Sequence, residues 1–185
     1  MLYFYSSFKS KQTTTFSLVD CPNEEELLAN FLVFAKNNNG RIYIGWNISD
    51  STYGIQAIQN RIYQLIGDVN LGICECSIYD LDSILEWKFG HDYVSHPKLY
   101  RLASLNGITT NNYIEGSKEQ ELFENSDYKS IELSTNRKVR MISNISDLFI
   151  TNKLKVEKVS TISRIKDFLY NPGLQTLVGL LGLLR

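Results

Sequence analysis

The stretch Phe34–Asn47, FAKNNNGRIYIGWN, most limits what this chain can become. It joins the end of a helix to a strand through Asn37-Asn38-Asn39-Gly40, residue types that tolerate the left-handed backbone of a helix C-cap. Upstream, Leu27, Leu28, Phe31, Leu32, Phe34 and Ala35 recur at helical spacing and predict one buried stripe. Cys21-Pro22-Asn23-Glu24-Glu25-Glu26 reads as the start of that helix. Proline suits a first turn, where its missing N–H would be unpaired anyway, and three glutamates complement the positive end of the helix dipole. Downstream, Arg41 to Trp46 alternates, with Ile42 and Ile44 on one face, and predicts a strand. Gly40 is expected to allow the sharp exit from the helix. Gly45 removes a side chain where a ligand or a neighbouring backbone would come close.

The rest of the chain is read around this element. Residues 2–8 and 13–19 are rich in aromatic and β-branched types and predict strands. Gly54 permits a tight turn, and Ile55, Ile58, Ile62, Leu65 and Ile66 mark a second amphipathic helix. Residues 71–80, 84–89 and 98–105 read as further strands, and 106–127 as a loop or short helix. Residues 128–143 (YKSIELS, TNR, KVRMIS) read as a hairpin. A short helix over 161–170 and an apolar helix over 174–184 follow, separated by Asn171-Pro172-Gly173. Strands interleaved with two helices and then mostly strands imply an α+β domain, a mixed sheet with the two helices packed on it. The expected core spans residues 1–143, and residues 144–185 form a basic and apolar appendage.

Composition bounds the function more by charge than by size. A chain of 185 residues, 43% hydrophobic and 21% charged, belongs with globular and not disordered proteins. The formal net charge of −1 hides an asymmetry. Residues 1–126 hold 9 Lys+Arg against 15 Asp+Glu, and residues 127–185 hold 10 against 5. An anionic partner for the second part is the mild implication. Three cysteines without a disulfide spacing fit a reducing, cytoplasmic setting. The start, MLYFYSSFKS, lacks the pattern of a signal peptide, and no run reaches the ~18–20 apolar residues of a membrane span.

The run LLANFLVFAKNNNGRIYIGWN, then SDSTYG, then IQNRIYQLIG, resembles the AlbA-type domain of the Schlafen family. That family shows an acidic-started helix, AFANxxGGxxxIGVDD, a short turn with glycine and another helix. Phe34-Ala35-Lys36-Asn37 stands at the helix end, Asn39-Gly40 at the double glycine and Ile44-Gly45 at the Ile-Gly. The similarity covers about residues 13–68 and more vaguely extends to 105. The resemblance implies nucleic-acid binding, and in some members RNA cleavage by an acidic cluster. Those acids come from the strand before the first helix and from the position after Ile-Gly. Here the strand Thr13–Val19 has no acid and Gly45 is followed by Trp46-Asn47. Metal-assisted phosphodiester cleavage needs several carboxylate oxygens, and Asp20 and Asp50 are the nearest substitutes, both out of register.

Other constellations carry chemistry of their own. Cys74 and Cys76 share one face of an alternating strand, and with His91 and His96 they would supply four ligands for a structural zinc. The spacing is not a standard one, and two core cysteines with two loop histidines is the plainer alternative. The Schlafen resemblance also implies a zinc site in this region. Cys21 precedes a helix as some nucleophilic cysteines do, but three glutamates in the next turn oppose a thiolate. No phosphate-binding loop, no G-x-S-x-G and no His-x-Ser/Thr pair is present. Arg137, Lys138, Arg140, Lys153, Lys155 and Lys158, with Arg164 and Lys166, form the best footprint for phosphates. Tyr3, Tyr5, Tyr43, Trp46, Tyr100 and Tyr113 offer stacking faces for bases, or simply core. The apolar run 174–184 is too short to span a bilayer and suits a protein partner, a membrane surface or self-association.

Three functions follow from these readings. The first is a non-catalytic module that binds RNA or DNA on a Schlafen AlbA-like core. The second is a metal-dependent ribonuclease of that lineage with a displaced acidic cluster. The third is a structural or host-interaction protein, such as a viral one or the N-terminal piece of a polyprotein.

Overall fold

The structure, a computed structural model, describes residues 3–6, 13–38, 40–48, 54–67, 70 and 78–160. The chain is α+β, with six helices and two small sheets among the described residues. Strands β1 (Tyr3–Ser6) and β2 (Thr13–Phe16) pair antiparallel, with Tyr3 opposite Phe16. Helix α1 (Glu24–Asn37) follows, then β3 (Tyr43–Gly45), α2 (Ile55–Ile66) and β4 (Ile78–Asp80). Strand β4 pairs with β3 in parallel, Gly45 opposite Asp80. Helices α3 (Leu81–Phe89), α4 (Lys98–Leu105), α5 (Gly116–Glu124) and α6 (Tyr128–Ile150) complete the described fold.

Helix α1 begins one step later than its proline suggests. Asn23 is the N-cap and its Oδ1 accepts the Glu26 N–H at 2.9 Å, so Pro22 lies just outside the helix. The helix stops at Asn37, and Gly40 takes φ +81°, the left-handed conformation that favours glycine. Arg61 of α2 grips Glu24 with two hydrogen bonds of 3.0 and 2.6 Å and holds that carboxyl below its usual range. Gly45 makes room for a neighbouring side chain. A Cβ there would lie 2.6 Å from Ile48 Cδ1.

Two apolar clusters hold the fold. Leu27, Leu28, Phe31, Leu32 and Ala35 of α1 meet Ile58 and Ile62 of α2, and Phe16 and Leu18 pack on them. Leu81 and Leu85 of α3, Leu99 and Leu102 of α4, Met141 and Ile145 of α6, and the loop residues Tyr93 and Val94 form the second. Ile44 of β3 and Trp46 just beyond the strand pack against the second cluster. Each buried leucine or isoleucine contributes roughly 1.5–3 kcal/mol of transfer free energy.

The second cluster is helical where strands were expected. Residues 84–89 belong to α3 because Asp80 caps Asp82 N–H at 3.1 Å and Leu81 and Leu85 share a buried stripe. Residues 98–105 are α4, with Leu99, Leu102 and Ala103 inward. The hairpin expected over 128–143 is instead the first part of the 23-residue α6. Asp127 caps Ser130 N–H at 3.1 Å, and Ser134, Met141 and Ile145 are buried along one stripe at three- and four-residue multiples. The boundary expected between 143 and 144 falls inside α6. Beyond it, Leu154 and Val156 pack on the second cluster, while Lys153, Lys155 and Glu157 are exposed, the alternation of an extended strap. The strap is fastened by Asn106, whose Oδ1 accepts Lys155 N–H at 2.8 Å, and by Ser160 N–H donating to Phe89 O at 2.8 Å.

Candidate functional site

The parallel pair β3–β4 ends on a cleft. In parallel α/β arrangements the strand carboxyl ends open onto helix N-termini, and ligands collect there. A cavity of about 1030 Å³ lies at this edge, between the two apolar clusters. Phe31 and Phe34 of α1, Tyr43, Trp46 and Asn47 around β3, and Ile55 and Ile58 of α2 line one side. Asp82, His96, Pro97 and Lys98 form part of the lining, with Tyr113, Glu119 and Phe123 around α5 and Tyr128, Lys138 and Ile142 of α6. Three of the aromatic residues expected as stacking faces, Tyr43, Trp46 and Tyr113, therefore meet in one place. Tyr100 packs its ring on Tyr113, with centroids 5.2 Å apart.

The charges at this cleft come in matched sets. Lys98 is nearly buried, 8% exposed, and its Nζ is ion-paired with Glu86 and lies 3.6 Å from Asp82 Oδ1. Tyr93 donates its hydroxyl to Asp82 Oδ1 at 2.6 Å, and the Lys98 ammonium sits 5.2 Å from the Tyr93 ring centroid. The hydrogen bond from Lys98 and its positive charge hold the Glu86 carboxyl below its usual range, against the opposing effect of burial. Burial, and then the Asp82 hydrogen bond and charge, push the Tyr93 phenol far up. At the other wall, Lys138 Nζ lies 2.8 Å from Glu119 Oε1, which also accepts the Ser134 hydroxyl at 2.6 Å. Burial, then the charges of Glu115 and Glu119, raises the Tyr113 phenol.

The phosphate footprint read from the sequence divides. Lys138 is turned into the cleft and paired, as above. Arg137 donates from Nε to the Asn111 carbonyl at 2.8 Å, which leaves its charge uncompensated. Arg140 on α6 and Lys153, Lys155 and Lys158 on the strap are exposed. None of these five makes an ion pair with a carboxylate among the described residues. Glu157, the acid within the strap, is occupied by Ser95, accepting its N–H at 3.0 Å and its O–H at 3.1 Å. Arg164 and Lys166 lie outside the described residues, as does the apolar run 174–184.

Cys74, Cys76 and Asp50 lie outside the described residues. His91 is exposed, with its Nδ1 3.1 Å from Glu86 Oε1, and His96 reaches the cleft beside a cis bond to Pro97. No cluster of three or more His, Cys, Asp or Glu suited to a metal occurs among the described residues. Asp20 is exposed in the turn before α1. Cys21 is buried in the first cluster, and Asn30 Nδ2 donates to its sulfur at 3.7 Å. That burial removes it from use as a surface nucleophile. No helix among the described residues is long and apolar enough to cross a membrane. The sequence does not show the Asp82–Glu86–Tyr93–Lys98 set, because 84–89 reads there as a strand. Once 81–89 is helical, Asp82 and Glu86 stand at i, i+4 on one face, and that spacing was the available signal.

No protein-family model, no curated protein and no solved structure matches this chain.

Proposed function

We propose that this chain is a non-catalytic module that binds single-stranded RNA or DNA through cations outside the cleft. The observation that carries this reading is the set Arg137, Arg140, Lys153, Lys155 and Lys158, which are without carboxylate partners among the described residues. Unpaired, solvated cations gain from a phosphate backbone by releasing its counterions. The strap suits this use because Lys153 and Lys155 are exposed on a segment that Leu154 and Val156 pin to the second cluster. The order α1, Gly40, β3, α2 agrees with what the Schlafen AlbA resemblance implies, and that lineage is part of the proposal. A cytoplasmic setting belongs to it as well.

Cleavage is disfavoured by what the carboxylates already hold. Asp80 caps α3 and accepts the Asn47 N–H, Asp82 and Glu86 serve Tyr93 and Lys98, and Glu119 serves Lys138. A divalent cation would find only single unshared oxygens there, beside the Lys98 and Lys138 ammonium groups that repel it. The test is a single-stranded RNA of mixed sequence, incubated at low salt with magnesium or manganese. Binding with intact RNA is expected, and exchanging all five cations for alanine should abolish it. Metal-dependent cleavage would overturn the non-catalytic reading, and binding undiminished in the five-fold variant would overturn the assignment of residues.

A further inference from the structure

The cleft differs from the cationic exterior in shape, lining and charge. It lies at the carboxyl ends of β3 and β4, where Gly45 and Asp80 close the parallel ladder. Its walls carry the rings of Phe34, Tyr43, Trp46, Phe123 and Tyr128. Such walls suit a flat ligand, since every aromatic face stacks on another. The lysines that reach it, Lys98 and Lys138, are each bound to an acid. A phosphate entering here would meet no uncommitted lysine or arginine among the described residues and would face two carboxylates.

The polar atoms left over define the ligand further. Asp82 engages Tyr93 and Lys98 through Oδ1, and Glu119 engages Ser134 and Lys138 through Oε1. Each carboxylate therefore keeps its second oxygen, an acceptor without a donor in the protein among the described residues. The complementary ligand is planar, uncharged and rich in N–H and O–H donors. We propose that the cleft binds a nucleoside, with the base between the aromatic walls and the amino or hydroxyl donors on Asp82 Oδ2 or Glu119 Oε2. A volume near 1030 Å³ admits such a ligand with space to spare. This goes beyond the nucleic-acid reading and does not depend on it, because the two sites use different residues.

The chain supplies its own reporter. It has two tryptophans, Trp46 in the cleft and Trp87 exposed on α3. In a Trp87→Phe variant, titration with adenosine, guanosine, cytidine and uridine should give a saturable change in Trp46 emission for at least one of them. The matching 5′-monophosphate should bind about tenfold more weakly or worse, because its charge faces the carboxylates. Adding Phe123→Ala, which removes a wall ring, should weaken nucleoside binding about fivefold by loss of stacking. The melting temperature is the control for folding in both variants. Alanine at Lys153, Lys155 and Lys158 should leave nucleoside binding unchanged. No saturable signal with any of the four nucleosides, or a monophosphate bound as tightly as its nucleoside, would overturn the proposal.

Discussion

Lys98 and Lys138 reach the cleft with a carboxylate in bonding range, whereas Lys153, Lys155 and Lys158 stand on the strap with none among the described residues. The same side chain does different work in the two regions. In the cleft an uncompensated ammonium would carry a heavy desolvation cost, so each is paired and its charge is consumed by the fold. On the strap water solvates the ammonium, and its charge remains available to an anion. Basic composition alone therefore overstates the footprint, and pairing decides which cations count.

Lys98 marks the largest difference between the two regions. Lys98→Met should leave the Asp82 and Glu86 charges facing each other and destabilise the protein by about 3 kcal/mol. Chemical denaturation would show it, and a loss below about 0.5 kcal/mol would mean that Lys98 is solvated like the strap lysines. Next in size is the triple exchange of Lys153, Lys155 and Lys158 to alanine. It should reduce the salt dependence of RNA binding by about two units of log–log slope at an unchanged melting temperature. The same reasoning gives Arg140→Ala a slope change of about 0.7. Lys138→Ala should move the slope by less, because Glu119 already neutralises it, and should instead lower the melting temperature.

Acid should sharpen the contrast between the regions. Glu86 and Glu24 have carboxyls held below the ordinary value of 4.5 by Lys98 and Arg61. The folded state then binds fewer protons than the unfolded one, so their contribution is complete above that value and is lost as pH falls through the lowered ones. Tyr93 works in the other direction. Its phenol is raised above the usual 10.0, so its contribution holds below that value and fades as pH rises beyond it. A stability profile against pH should decline at both ends, and Glu86→Gln should reduce the acid limb.

Legibility in the sequence followed the strength of local signals. Helix α1, its stop, β3 and α2 were readable because Glu24–Glu26, Gly40 and the spacing from Ile55 to Ile66 are short-range cues that agree with one another. Residues 84–89 and 128–143 misled because aromatic and β-branched residues in short runs mimic alternation. The caps Asp80 and Asp127 were the contrary evidence, as was the absence of a glycine in the supposed turn at 135–137. The cleft was invisible for a different reason. It gathers Phe34, Trp46, Asp82, Lys98, Phe123 and Lys138, which are distant in sequence and meet only when two apolar clusters are set side by side.

Whether the unpaired cations, and not the cleft lysines, bind a polyanion is read most directly from the affinity for a single-stranded RNA, followed by fluorescence anisotropy across a salt series. With Arg137, Arg140, Lys153, Lys155 and Lys158 engaged, the log–log slope should be about −3.5. It should fall close to zero when all five are alanine. A flat salt dependence in the native chain, or a slope unmoved by removing the five, would contradict the account.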